Sequence, residues 1–316
     1  VGKVFPQAKP FVKWAGGKAQ LVQELCKRLP KKILQTKRID VYVEPFVGGG
    51  AFFFYLKGRF KIGKAFLFDV NKDLVVAFKV VQNFERELVE QLGLLEENYL
   101  SLPEEKRKDF YYEVRDKYNT QRDSFDYSQC GRSWVLRGAY MIFLNKTCYN
   151  GLYRLNRQGR FNVPHGKNKK PKIYDEKNIF EASMALKDAE IICADFEESK
   201  NYVTSGALVY LDPPYRPISK TASFTGYTED GFSDEDQKRL ARFFREMHEK
   251  GAYLLLSNSD PRNHNPDDDF LERLYEGFVI ERVPANRFIN CVATKRGDIA
   301  EIVVRNYGIR DDAGKC

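Results

Sequence analysis

The chain has 316 residues, 43% of them apolar, and a formal net charge of +8. That length supports a sizeable core in one large domain or two of ordinary size, and no low-complexity stretch suggests disorder. No run of 18 apolar residues offers a membrane span, and the start at Val1-Gly2-Lys3-Val4 lacks a signal-peptide core. The six cysteines include no Cys-x-x-Cys pair, so a soluble cytoplasmic protein with free thiols and no metal site is expected.

Near the start, Lys13-Trp14-Ala15-Gly16-Gly17-Lys18 sets a lysine after a glycine turn. A phosphate loop needs Gly at 12 and Ser or Thr at 19, where this chain has Val12 and Ala19, which leaves capture of a small carboxylate. Apolar spacing predicts a helix over 20–28. A strand over 41–43 runs through Glu44-Pro45-Phe46-Val47 into Gly48-Gly49-Gly50, with a helix from 51. Such glycines let a ligand approach the backbone and meet helix N-terminal amides. Because Phe53 occupies the last glycine position of Gly-x-Gly-x-x-Gly, a dinucleotide fingerprint fits poorly. The next strand, 65–68, ends at Asp69, an acid suited to both hydroxyls of a ribose or, more plainly, to capping a helix.

From about 74 to 179 strand signal is weak and helical or loop character dominates. Between Asp126 and Asp175 lie 48 residues without an acid, carrying ten bases: Arg132, Arg137, Lys146, Arg154, Arg157, Arg160, Lys167, Lys169, Lys170 and Lys172. Solvated faces normally mix signs, so this exclusion of acids is the footprint of a polyanion partner. Arg154, Asn156, Arg160 and Asn162 alternate with Tyr149, Tyr153 and Phe161. Arg pairs with guanine edges and Asn with adenine edges, while clustered lysines such as Lys169 and Lys170 grip phosphates. A merely soluble surface loop is the plain alternative.

Further strands are predicted at 191–193, 207–211 and 253–256, with 278–283 and 301–305 as a hairpin at one end. A helix over 236–249 is capped by Ser233, with acids in its first turn. This order predicts an α/β fold: a doubly wound, mostly parallel sheet with a mainly helical insertion between the second and third strands. Residues 1–76 and 187–316 are expected to form the α/β domain, and 77–186 the insertion.

The strand 207–211 runs into Asp212-Pro213-Pro214-Tyr215. Two prolines stiffen the backbone where a buried strand ends, so a carboxylate, a carbonyl and a phenol ring project from a rigid corner. Those groups suit one problem, holding a flat exocyclic amine while it attacks an electrophile. The bland alternative is a strand terminator. The Ser- and Thr-rich segment 216–226 that follows reads as a flap that orders when DNA enters, or as an ordinary surface loop.

Taken in order, these pieces resemble the Dam family of α-class DNA adenine-N6 methyltransferases. The resemblance runs through Lys13-Trp14-Ala15-Gly16-Gly17-Lys18, Glu44 to Gly50, Asp69-Val70-Asn71, the long block 143–166, Ala194-Asp195-Phe196, Asp212-Pro213-Pro214-Tyr215 and Ser257-Asn258-Ser259-Asp260. Gly49 and Val70 stand where other members often carry Ser and Ile, and the segment after Asp260 diverges. The resemblance implies a Rossmann-like class I methyltransferase fold whose 77–186 insertion recognises DNA, with S-adenosylmethionine as methyl donor. It places Trp14 and Lys18 at the methionine end of that cofactor, Asp69 at its ribose, and Asp195 and Phe196 at its adenine. Glu44, Phe46, Gly48, Gly50 and Asp212 complete the expected cofactor set. Asp212, Pro213 and Tyr215 are expected to act on an adenine swung out of double-stranded DNA. Residues 149–164 would form the recognition hairpin, giving DNA contacts from Tyr149, Tyr153, Arg154, Asn156, Arg160, Asn162 and Pro164, with Lys13 at a flanking base. A GATC or GAT-containing target is a further implication; a monomer, paired with a restriction endonuclease, is expected without any residue that speaks for it.

Cytosine C5 methylation needs a cysteine nucleophile after proline, and no Pro-Cys occurs; zinc deamination needs His-x-Glu with Pro-Cys-x-x-Cys, also missing. Cytosine N4 presents the same geometric problem as adenine N6 and stays open from the tetrapeptide alone, although the middle block argues for adenine. A DNA-binding protein that kept the scaffold without catalysis is the remaining alternative.

Overall fold

Short apolar runs bounded by turns are buried on both faces only inside a sheet covered on both sides, and each such run of this chain becomes a strand. The computed structural model describes residues 5–14, 21–215, 232–263, 265–285 and 299–308. The strands are β1 (Arg38–Glu44), β2 (Lys61–Asp69), β3 (Ala189–Cys193), β4 (Leu208–Leu211), β5 (Tyr253–Ser259), β6 (Val279–Ala285) and β7 (Ile299–Arg305). Among the described residues they form one seven-stranded sheet in the order β3-β2-β1-β4-β5-β7-β6. The first five run parallel; β7 is antiparallel to both β5 and β6, so the late pair forms the expected hairpin at one edge.

Side chains alternate between two apolar layers, as the two-residue period of a strand requires. In β4, Leu208 and Tyr210 join one core while Val209 and Leu211 join the other. On the first face lie α1 (Leu21–Lys27), α2 (Lys31–Thr36) and α3 (Ala51–Lys57), and on the second α9 (Asp234–Glu249) and α10 (Phe270–Leu274). Ser233 and Asp236 form a reciprocal capping box that starts α9 where the sequence placed its cap.

Between β2 and β3 come α4 (Lys72–Asn83), α5 (Glu85–Ser101), α6 (Glu104–Arg122), α7 (Ser133–Thr147) and α8 (Glu176–Leu186). The segment between α7 and α8 carries the isolated bridges Cys148–His165 and Leu155–Phe161. These helices share one apolar core with the first sheet face. α4 runs unbroken across position 76, burying Leu74, Val75, Val76, Ala77, Phe78, Val80 and Val81. Each of these Leu, Val and Phe side chains contributes roughly 1.5–3 kcal/mol when fully buried.

Glu44, Asp69 and Cys193 close β1, β2 and β3, and Asp212 follows β4, all at the carboxyl edge of the sheet. Strand order departs in opposite directions from β1 and β4, which opens the crevice where ligands bind in doubly wound sheets.

Candidate active site

Two strand ends face each other across that crevice. Asp212 is partly exposed after β4, and Pro213 and Pro214 fix φ at the next two positions. Asp212 Oδ1 accepts from Ser257 Oγ on β5 at 3.4 Å, and Ser257 Oγ lies 2.8 Å from the Tyr210 hydroxyl. Opposite stands Glu44, 2% exposed, which accepts a 2.8 Å hydrogen bond from the Tyr42 hydroxyl. Burial, and then the nearby charge of Asp212, hold the Glu44 carboxyl well above the usual carboxylate range. The Tyr215 hydroxyl donates to Glu301 Oε1 of β7 at 3.0 Å, and buried Gln237 of α9 reaches the Pro214 carbonyl at 3.5 Å. The corner therefore carries an accessible carboxylate and a ring set by its hydroxyl.

The glycine turn joins β1 to α3. Gly48 has φ +47°, and its N–H donates to Asp69 Oδ2 at 3.1 Å while the Asn71 N–H donates to Oδ1 at 2.9 Å. Burial outweighs these bonds and pushes the Asp69 pKa up to about 6. The Trp14 ring lies over the turn: a Cβ on residue 48 would come within 2.8 Å of Trp14 Cδ1. Gly50 is the N-cap residue of α3. Beside the turn, Phe46 and Phe196 pack at 5.4 Å between ring centroids, with Phe232 closing the wall at 5.7 and 6.2 Å. Asp195 caps the 3-10 turn at Phe196–Asn201 through the Glu197 N–H and pairs with Arg239 at 2.9 Å. Arg239 in turn covers the Phe196 ring at 4.9 Å. An acid for ribose hydroxyls, an aromatic wall for a base and a turn without side chains make a set that fits a nucleoside cofactor. Lys18 and the segment 216–226 lie outside the described residues.

A hairpin hangs from the end of α7. Tyr149 N–H donates to Pro164 O, Asn162 N–H to Arg154 O and Asn156 N–H to Arg160 O, at 2.9, 3.1 and 2.9 Å. Tyr149 and Pro164 are exposed near its base. Arg154 Nε donates to Asn162 Oδ1 at 2.8 Å, which sets the guanidinium plane with its two terminal nitrogens still available for a fork. Asn156 turns its side-chain oxygen into the tip, accepting from the Gln158 and Arg160 N–H groups at 3.0 Å, so it shapes the turn. Arg160 reaches Asp123 at 3.1 Å, and Lys169, exposed with Lys170, reaches Glu104 at 3.2 Å. Lys13 packs its stem on Gly151, where a Cβ would collide with it.

Two expectations are corrected. Tyr153, expected at the surface as a DNA contact, is buried: it is 3% exposed, its hydroxyl donates to Asp73 Oδ2 at 3.0 Å, and its ring stacks on Trp14. Arg137 does not belong to the basic surface, being 0% exposed and paired with Asp73 at 2.7 Å among the rings of Tyr118, Phe125 and Tyr127. Several supports went unread. Asn145, fully buried, holds Lys13 by both backbone groups at 2.7 Å and Gly151 O at 3.0 Å, thereby seating the amino-terminal motif on the hairpin. Asp73, Gln237 and Glu301 were also missed, and Ser257 stood out only as part of the resemblance. For Glu301 the one cue was an acid inside the apolar run that precedes Arg305 in the strand Ile299–Arg305.

Among the described residues, no helix is long and apolar enough to cross a membrane, and no group of His, Cys, Asp and Glu could hold a metal ion. The family model for D12 class N6 adenine-specific DNA methyltransferases matches residues 14–289. The chain is similar to the type II methyltransferase M.MjaIII of Methanocaldococcus jannaschii, 49% identical with 95% of this chain and 100% of the relative covered. It is also similar to the type II methyltransferase M1.LlaDCHI of Lactococcus lactis subsp. cremoris, 36% identical over 95% and 96%. A DNA adenine methylase of Vibrio cholerae is 32% identical over 93% and 95%.

Proposed function

Because this chain belongs to the D12 class of N6 adenine-specific DNA methyltransferases, we propose that it swings the adenine of a GATC site out of the duplex and presents it to Asp212. The enzyme moves a methyl group from S-adenosylmethionine to the N6 amine of adenine in DNA, which decides for adenine over cytosine N4 and for catalysis over simple binding. One observation carries the residue-level reading: Glu44, Asp69 and Asp212 converge at the carboxyl edge on either side of the β1/β4 switch point.

The cofactor supplies an electrophilic methyl group; the chain supplies position. Asp69 holds the ribose, Phe46 and Phe196 wall the adenine, and Trp14 with Lys18 borders the methionine end, beside Glu44, Gly48 and Gly50. The Arg239 pair leaves Asp195 Oδ2 for the cofactor adenine amine. The target amine is a weak nucleophile because its lone pair conjugates with the ring. Asp212 and the Pro213 carbonyl each accept one amine N–H, drawing the nitrogen toward tetrahedral geometry. Tyr215 stacks on the extruded base, an interaction of roughly 1–3 kcal/mol.

Residues 77–186 form the DNA-recognition region and the flanking segments the catalytic one. Within it Arg154 reads a guanine edge, Tyr149, Asn162 and Pro164 line the reading face with Lys13 beside them, and Arg160, Lys169 and Lys170 follow phosphates. The GATC assignment rests on the Dam-like block 143–166. Action in the cytoplasm as a monomer belongs to the same proposal, as does pairing with a restriction endonuclease, and the type II names of two relatives support the pairing alone. Plasmid treated with the enzyme and cofactor should resist a methylation-sensitive nuclease that cuts GATC, and nucleoside mass analysis should show N6-methyladenine. Asp212→Ala should abolish both results while retaining duplex binding in a gel shift. Turnover by that variant would overturn the role of Asp212, and methylated adenines outside GATC would overturn the target.

A further inference from the structure

A closed ring of contacts joins the glycine turn to the reading hairpin. Trp14 covers Gly48 and stacks on Tyr153, with centroids 5.5 Å apart and planes at 27°. The Tyr153 hydroxyl donates to Asp73 Oδ2 at 3.0 Å, and the Asp73 N–H donates to Asn71 Oδ1 at 3.1 Å. The Asn71 N–H then reaches Asp69 at 2.9 Å, and Asp69 accepts from the Gly48 N–H at 3.1 Å, which closes the ring. Its hub is stiff, since the other Asp73 oxygen accepts from Arg137 Nε at 2.7 Å and the Tyr127 hydroxyl at 2.9 Å.

We infer that Tyr153 is a positioning residue through which cofactor binding and base reading favour one another. The inference rests on the reading above, in which Trp14 and Asp69 meet the cofactor and Arg154 meets DNA. Arg154 follows Tyr153 directly, and its chain is paired with Asn162 across the hairpin. A cofactor seated on the turn fixes the Trp14 indole, the indole fixes the phenol ring beneath it, and the ring sets the height from which Arg154 projects. Tyr153 is 3% exposed, so any effect it has on DNA discrimination passes through its neighbours. Coupling of this kind is reciprocal: duplex must tighten the cofactor by the factor by which cofactor tightens duplex.

The test uses the full chain, S-adenosylhomocysteine as a non-reacting occupant, a GATC duplex and a duplex with one base pair changed. S-adenosylhomocysteine should tighten the wild-type complex with the GATC duplex about five-fold or more, and the altered duplex far less. Tyr153→Phe keeps the ring and removes the bond to Asp73; Tyr153→Leu removes the stack. Both should bring the coupling to about two-fold or less, while S-adenosylhomocysteine affinity without DNA changes much less. A purely structural role would lower the melting temperature and leave this ratio intact. Full coupling in both variants, or no coupling in the wild type, overturns the inference. Should the Tyr153 variants fail to fold, Trp14→Phe interrupts the same ring from its partly exposed side, and unchanged coupling there is equally fatal. Failure of the underlying reading looks different: Asp69→Ala would keep cofactor affinity, or Arg154→Ala would keep base discrimination.

Discussion

The Tyr215 hydroxyl is bonded to Glu301 at 3.0 Å across 86 residues of sequence, so β7 fixes the ring that ends the Asp-Pro-Pro-Tyr corner. Glu301 sits opposite Ser259 in the β5–β7 ladder and is 5% exposed, which gives the bond a stiff base. A hydrogen bond to a carboxylate is worth about 1.5–3 kcal/mol. Glu301→Gln and Tyr215→Phe should therefore each lower kcat about ten-fold, with a smaller change in the KM for DNA. Steady-state kinetics on a GATC duplex checks this, and an unchanged kcat in both variants would show the bond to be irrelevant to transfer.

Cofactor affinity should depend on pH through Asp69. Its pKa in the free protein is pushed up to about 6, and ribose hydroxyls donate best to the ionised carboxylate. Affinity should rise from pH 5 to 7 with an inflection near 6, because binding favours loss of the proton. For folding the sign is opposite. The native state holds the Asp69 proton more tightly than the unfolded chain, so this group's contribution to stability falls as pH rises from the unfolded value of 3.8 through about 6. Titration calorimetry with S-adenosylhomocysteine should find the affinity inflection in the wild type and a flat profile in Asp69→Asn.

Removing Arg137 should unfold rather than merely weaken DNA binding. Burial raises the Asp73 carboxyl, but the Arg137 guanidinium overcomes it and keeps the net pKa below 3.8. The pair stabilises the fold at neutral pH, and its contribution is lost as pH falls below that value. Arg137→Met leaves the buried Asp73 carboxylate with only the more distant Arg122, at 3.8 Å, as a cation and should cost about 3 kcal/mol in chemical denaturation. Arg157→Ala, an exposed base from the same acid-free stretch, should stay within about 0.5 kcal/mol of wild type.

Arg154 and the lysines should separate specificity from grip. Arg154→Ala should cost about 1–3 kcal/mol of discrimination at one base pair. Lys169→Ala combined with Lys170→Ala should weaken all duplexes alike and flatten the dependence on salt. Equal losses on GATC and random duplexes in both cases would contradict the division of labour.

The strands were legible because their apolar centres stand out from polar turns, but their polar ends were not. β1 begins at exposed Arg38 and Asp40, which an apolar run cannot reveal. Direction was harder still. α7 buries Arg137 completely while its neighbour Leu136 is 36% exposed, an inversion that charge counting reads backwards. The alternating aromatics and bases of the hairpin looked like one mixed surface; in an extended chain, neighbours point opposite ways, so Tyr153 goes inward beside Arg154. Asp212, Glu44 and Asp69 could be picked out because each ends an apolar run. Glu301 lies far from them in sequence, and only strand pairing brings it to Tyr215.

The helices between β2 and β3 fill the same apolar mass that covers one face of the sheet, so they are not a detachable cartridge. Grafting the equivalent stretch of another methyltransferase would set foreign side chains against that face and should destabilise the host. New target words would therefore have to be spelled at the outward-pointing tips of the hairpin, one side chain at a time.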